Sequence, residues 1–456
     1  MIQVEIGCAN IIPPGGGPKD TIPPRLITAV PKDSATNVTP KLITLTFDEF
    51  VDVKDLQNNL IVSPVPKNLP IIDYKLRNVT IKLKDSLEPN TTYAFSFGNA
   101  IKDVNEGNIA KNFVYRFSTG KKLDENVFSG KVILAETGKI DSSLIVVLHN
   151  KLSDTSIIKN RPRYYTTLDG KGNFSFKNLP EGKFLAYVLP NDYTKRYDDS
   201  TKLFGFLDSA ITINKETATV TFYAYEEEKR KAKSSANNPN SIAQKLPKGA
   251  KEDKRLRIST DLDYGTQDVL KTALVLTFSR KLKAVDTSKI ILTDSNYHPL
   301  KNYQINLDTT KTKVSIVYNW KTDNGFRLLI AKDAVIDTTD MMLSKADTLK
   351  FKTKKEQSYG SIKLRFLNAD LTKNPVLLFI QNDKIVESIP ITSKQLSRKL
   401  YRPGEYELRV LFDKNKNGIW DTGNFKKKLQ PEIVKTLNKK LTVKADSDTV
   451  LDDIRL

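Results

Sequence analysis

Short runs in which apolar and polar residues alternate dominate the chain. Residues 42–47 (LITLTF), 79–83 (VTIKL) and 93–97 (YAFSF) carry apolar side chains at every second position. That is the period at which successive side chains point to opposite faces of a strand. Pro89-Asn90 marks a turn before the third run, and Asn105-Glu106-Gly107-Asn108 marks another before residues 113–120. Strands this short, punctuated this often, predict an antiparallel sandwich over residues 25–120.

The design then recurs. Residues 274–278 (LVLTF) parallel the run ending at Phe47, Asp333-Ala334-Val335 parallels Asn99-Ala100-Ile101, and Phe351-Lys352-Thr353 parallels Phe117-Ser118-Thr119. The last two correspondences share one offset of 234 positions (333−99 and 351−117), so residues 256–354 read as a second copy. Each copy precedes a different β-unit. The first is built from 128–132 (FSGKV), 144–148 (LIVVL), a turn at 170–173, 174–176, and 184–188 (FLAYV) after Leu179-Pro180-Glu181-Gly182. Its counterpart uses 359–362 (YGSI), 376–380 (VLLFI) and 406–410 (YELRV) after Arg402-Pro403-Gly404-Glu405. The expected fold is all-β: a tandem A-B-A-B array of four antiparallel β-sandwich domains at 25–120, 121–225, 256–354 and 355–456.

Two segments lack this alternation. Residues 1–24 become rich in Pro and Gly after Ala9-Asn10, which stops both helix and ladder hydrogen bonding and predicts an extended tether. Residues 226–255 open with Glu226-Glu227-Glu228-Lys229-Arg230-Lys231 and continue through a Ser/Asn/Pro stretch, the composition of a flexible linker.

Composition narrows the function classes. The 456 residues exceed a single core and imply about three or four domains. No apolar run reaches the roughly 18 residues of a membrane span. Lys+Arg 73 against Asp+Glu 53 gives +20, but the excess is spread along the chain rather than gathered in one arm, which argues for a solvated basic surface and against nucleic acid. The linker interleaves acidic with basic residues and has no aromatics, which speaks against a nucleic-acid patch there too. Cys8 is the single cysteine, so an internal disulfide and a cysteine-rich zinc site are both excluded. His149 and His298 are the only histidines, and neither belongs to a nucleophile–histidine signature. Neither GxGxxG nor a phosphate loop occurs. An enzyme is not expected.

Several stretches carry a family resemblance. Pro23-Pro24-Arg25-Leu26, Ala35-Thr36-Asn37-Val38, the run ending Phe47-Asp48-Glu49, residues 87–93 and the closing Phe117-Ser118-Thr119-Gly120 resemble the bacterial Ig-like domain of surface-layer proteins. Ile6-Gly7-Cys8 resembles the end of a bacterial lipoprotein signal. With Cys8-Ala9-Asn10 and Gly15-Gly16-Gly17-Pro18-Lys19-Asp20 ahead of the first domain, the chain resembles Ig-like-domain envelope lipoproteins of Bacteroidetes-type bacteria. The B units resemble prealbumin-like or carboxypeptidase-regulatory-like sandwiches. The resemblance implies lipidation at Cys8, attachment to the outer membrane, and modules that act as spacers and interaction surfaces. The Ala-Asn start after Cys8, without an acidic cluster, implies the periplasmic side.

The densest candidate site is residues 413–421 (DKNKNGIWD). Asp413, Asn415 and Asn417 offer oxygens at every second position, the Ile419 carbonyl and Asp421 complete the set, and Gly418 allows a sharp turn, the layout of a structural calcium loop. The same pattern suits a polar hairpin tip with Trp420 packed beneath. Adjacent carboxylates such as Asp48-Glu49 and Asp198-Asp199 point to opposite faces of a strand and make poor acid–base couples. Tyr164-Tyr165 is a candidate sugar-stacking platform. The expected function is a non-enzymatic, lipid-anchored envelope scaffold with a protein partner, accessory to an outer-membrane assembly or secretion complex. The alternative is an extracellular glycan-binding module or adhesin.

Overall fold

The alternating runs form strands, and the described residues are nearly all-β. A computed structural model describes residues 19–229 and 255–456. Cys8, most of the 1–24 tether and nearly all of the 226–255 linker lie outside the described residues. No helix among the described residues is long and apolar enough to cross a membrane. These residues form two compact units. One runs to residue 229 and takes in Trp420–Ile433; the other runs from residue 255 to Ile419 and resumes over Val434–Leu456.

In the first unit a four-stranded antiparallel sheet has the order Leu26–Val30, Leu42–Phe47, Asn78–Lys82, Ile71–Lys75. A three-stranded sheet of Ile61–Ser63, Thr92–Gly98 and Phe113–Ser118 supplies the other layer, and Val51–Val53 pairs with Ile101–Asp103 at one end. The period-two pattern does what it predicts. Ile43, Leu45 and Phe47 are fully buried, whereas Leu42, Thr44 and Thr46 face outward. Phe95, Phe97, Tyr115 and Phe117 fill the core from the other side, with Tyr93 stacked on Phe117 at 5.4 Å. Burying each such ring contributes about 1.5–3 kcal/mol.

The following strands make two further sheets. Asn126–Leu134 lies between Asn173–Leu179, antiparallel, and Val220–Ala224, parallel. Leu144–His149 lies between Tyr164–Thr167 and Gly182–Pro190. Every residue of Leu144–His149 is buried, because each face of its sheet has its own cover. Leu144, Val146 and Leu148 enter one core, while Ile145 and Val147 enter an aromatic layer with Tyr187, Phe204, Phe206, Tyr225 and Phe425. Cover on two faces explains the unbroken apolar run, which single-face alternation would not produce.

The second unit repeats this plan sheet for sheet. Ile258–Thr260, Ala273–Phe278, Lys313–Val317 and Gln304–Leu307 follow the same order as the first sheet of the first unit. Gly325–Ile330 between Ile290–Asp294 and Asp347–Thr353 mirrors its second sheet, and Leu282–Val285 pairs with Val335–Asp337. Gly360–Leu367 again runs between an antiparallel strand, Gln395–Tyr401, and a parallel one, Asp448–Arg455. Lys384–Pro390, Pro375–Gln381, Gly404–Phe412 and Ile433–Val443 complete it.

The chain packed beside Asn126–Leu134 and beside Gly360–Leu367 imposes one backbone requirement in each unit. A Cβ on Gly130 would lie 2.1 Å from the Val220 carbonyl oxygen and 2.8 Å from the Phe174 ring. A Cβ on Gly360 would lie 2.3 Å from the Lys444 carbonyl oxygen. Only glycine lets a neighbouring chain approach this closely.

Candidate functional site

Residues 413–421 begin the connection between Gly404–Phe412 and Ile433–Val443, rather than forming a tight hairpin tip. Asp413 is 2% exposed and organises the loop. Its Oδ1 accepts from the amides of Lys416 (2.7 Å) and Asn417 (3.2 Å), and its Oδ2 accepts from Gly418 (2.7 Å). Asn415 Oδ1 accepts from the Asn417 amide and Asn417 Oδ1 from the Ile419 amide. Gly418, at φ 79°, supplies the left-handed residue that lets these amides converge. The Asp413, Asn415 and Asn417 oxygens therefore cap the loop's own amides. The Asp421 amide donates to Glu432 Oε2 and the Trp420 indole donates to the Glu432 carbonyl. No group of three or more His, Cys, Asp or Glu side chains placed to hold a metal occurs among the described residues.

Two buried aspartates escaped the sequence reading although the repeat could have revealed them, since Asp103 and Asp337 also lie 234 positions apart (337−103). Asp103 caps a turn by accepting from the amides of Glu106, Gly107 and Asn108 at 2.6–2.9 Å. Asp337 does the same with Thr339 and Met341. Burial alone would raise both carboxyls; the amide bonds outweigh it, and Asp337, aided by Arg280, falls to about 2. The surroundings differ between the copies. Arg280 stands 3.4 Å from Asp337, whereas Glu49 occupies the corresponding place after the strand ending at Phe47. Burial raises the Glu49 pKa, and so do the carboxylates of Asp103, Asp48, Asp20 and Glu106. The Asp48-Glu49 pair is thus split: Asp48 accepts from the Arg25 amide while Glu49 faces other acids.

Charge pairs join successive groups of sheets within each unit. Arg163, next to the strand Tyr164–Thr167, grips Glu88 of the preceding sandwich through two 2.6 Å bonds, and its carbonyl accepts from the Val65 amide. This fork-to-fork geometry lowers the Glu88 pKa. In the second unit Asp268 accepts from Arg402 Nε (2.7 Å), the Tyr359 hydroxyl (2.7 Å) and the Leu270 amide (2.9 Å). Burial opposes the charge on Asp268, but these partners hold its pKa below the usual carboxylate value. The pairs are 75 and 134 residues apart in sequence, so no local motif announces them.

Concavities border the junction in the first unit. A cleft of about 280 Å³ has Val62, Tyr93 and Phe95 in its floor and Lys67, Asp85 and the Glu88–Arg163 pair at its rim. A larger trough of about 490 Å³ runs between the outer face of Thr92–Gly98 and the strands Tyr164–Thr167 and Asn173–Leu179. The expected tyrosine pair does not form a platform. Tyr164 is buried against Phe184 in the core, and Tyr165, the next strand residue, points the other way and packs on the aromatic layer that holds Val147 and Tyr187. Lys195 sits 4.7 Å from the Tyr165 ring.

Asp198 pairs with Lys202, and Asp199 caps Thr201. His298 is exposed, its Nδ1 2.9 Å from Asp294 Oδ2. His149 is 3% exposed beside Tyr187, and burial lowers its pKa to about 4.

Residues 20–119 match the family model of the bacterial Ig-like domain. Similar solved structures include a native alpha-2-macroglobulin from Escherichia coli, spanning domains MG0-NIE-MG1, at 13% identity, covering 42% of this chain and 97% of that one, with a TM-score of 0.20. The Bacillus anthracis TIE protein is similar at 11% identity over 97% of this chain and 75% of its own, with a TM-score of 0.17. BcpA, the major pilin subunit of Bacillus cereus, is similar at 10% identity over 72% and 99%, with a TM-score of 0.16. At such TM-scores these likenesses carry no argument about this chain. No curated protein matches it.

Proposed function

We propose that this protein is a non-catalytic scaffold of the cell envelope, an array of four β-modules anchored by a lipid on Cys8. The observation that carries the reading is the clamped junction within each unit. Glu88 with Arg163, and Asp268 with Arg402 and Tyr359, fix neighbouring sandwiches by charge-assisted bonds instead of leaving them on a free tether. A stiff pair of modules spans a distance and presents loops in a set orientation, which suits a spacer or docking part. The Ig-like match at residues 20–119 agrees with such a role. The outer membrane, on its periplasmic side, is the proposed location, and an outer-membrane protein of an assembly or secretion complex is the proposed partner.

Affinity purification from solubilised envelopes tests the partner: a stoichiometric outer-membrane protein is expected, and its absence from repeated purifications would count against the scaffold. Fractionation tests the anchor. Cys8→Ser, expressed with the natural leader, should move the protein from the membrane to the soluble fraction.

A further inference from the structure

We propose that the 490 Å³ trough of the first unit is a binding site for a neutral oligosaccharide. Its volume falls within the roughly 300–1,000 Å³ of small-ligand sites. Its lining sets it apart from the rest of the surface. Charged residues make up 28% of the chain, so 18 lining residues would carry about five charges by composition; they carry one, Lys177. Ten of the 18 are Asn, Ser or Thr. Carboxamides and hydroxyls both donate and accept, which is what a chain of sugar hydroxyls requires, and neither repels nor demands a counter-charge.

Part of this hydrogen-bonding capacity is already used within the protein. Asn59 donates to Asp55, and Asn178 donates to the Asp124 carbonyl. The side chains of Ser96, Asn99 and Asn112 find no hydrogen-bond partner among the described residues, and Asn99 and Asn112 are exposed at the trough. The depth comes from the central strand. Ala94 and Ser96 point away from the core, opposite Ser63 and Ile61, and their small side chains leave the space open.

The second copy shows that the fold does not demand this. In the strand Gly325–Ile330, which has the same neighbours in its sheet, the outward residues are Arg327 and Leu329. Arg327 lies across that face, bonded to the Ser295 carbonyl and 4.3 Å from the Tyr297 ring. One copy is covered by long side chains and the other is open, neutral and rich in amides. The inference does not depend on the scaffold reading, since a spacer can carry a glycan site or lack one.

Isothermal titration of the full chain with neutral hexasaccharides (maltohexaose, cellohexaose, xylohexaose and chitohexaose) provides the test, with polygalacturonate as the anionic comparison. At least one neutral hexasaccharide is expected to bind. Ser96→Arg, which puts a long charged side chain on the open face of the central strand, should weaken binding tenfold or more, as should Asn112→Asp at an exposed position where folding is not at stake. Arg327→Ala should leave the affinity unchanged. The proposal is overturned if no neutral hexasaccharide binds at concentrations up to about 10 mM, well past a 1 mM Kd. It is equally overturned if only polygalacturonate binds, or if affinity survives both trough substitutions.

Discussion

Acidification should loosen the two-faced strand Leu144–His149 before the carboxylates that hold the turns are protonated. His149 is 3% exposed, and burial depresses its pKa from 6.5 to about 4, because an imidazolium there would lose hydration without gaining a counter-charge. The sign follows. Folding favours the neutral ring, so this contribution is intact above pH 6.5 and is lost as pH falls from 6.5 through about 4. The fall from 6.5 to about 4 corresponds to about 3 kcal/mol, or a ~300-fold change in the ratio of folded to unfolded forms. The measurement is a comparison of wild type with His149→Leu at a series of pH values. Denaturant titration gives the stability difference, and hydrogen exchange of peptides covering residues 144–149 places it. Carboxylate titration is common to both proteins and cancels in the difference. The variant should gain about 3 kcal/mol relative to wild type between pH 7.5 and pH 4. A difference that stayed flat within about 0.5 kcal/mol over this window would refute the argument.

Three further outcomes follow from the geometry. Asp268→Asn removes the charge that binds Arg402 and Tyr359 and should cost about 2 kcal/mol near neutral pH. Because the Asp268 pKa is lowered on folding, this deficit should shrink as pH falls below the ordinary carboxylate range, which urea titration at pH 7 and pH 3 would show. Glu49→Arg copies the arrangement of Arg280 and Asp337 into the first sandwich; it should stabilise by about 0.5–1 kcal/mol at pH 7, with the gain reduced by salt, as thermal melts would register. Gly130→Ala drives a methyl group into the Val220 carbonyl and should cost about 3 kcal/mol or more, whereas Gly170→Ala, which meets nothing within 4 Å, should be close to neutral in the same melts.

What the sequence disclosed depended on whether a signal was local. Strands with one buried face, such as Leu42–Phe47 and Ala273–Phe278, were legible from period two alone. The run at 144–148 was legible as a strand but not as a layer shared by two cores, since continuous burial leaves no period to read. Lys384–Pro390 and Gln395–Tyr401 went unseen because they are sheet edges with mostly exposed, mixed side chains. At the candidate site the alternation of oxygens over residues 413–421 suits a calcium loop and equally a capped loop, in which Asp413 holds three amides. The junction pairs and the trough lining come together only through folding, from residues far apart in sequence. Asp103 and Asp337 were within reach: the shared offset that revealed the repeat also pairs them.

The segment Trp420–Ile433 has a consequence for biogenesis. It belongs to the first unit, and its Phe425 packs edge-on against Phe204 at 5.0 Å, closing the aromatic layer that includes Tyr187, Phe206 and Tyr225. Phe425 is synthesised 221 positions after Phe204 (425−204). During vectorial synthesis or translocation, which delivers the N-terminal part first, the strands of the first unit emerge with this aromatic face uncovered. That face stays sticky until nearly the whole chain has been delivered. An interval of this kind is when a holding chaperone would be needed, and it makes premature termination before residue 425 more harmful to the N-terminal unit than its distance along the chain suggests.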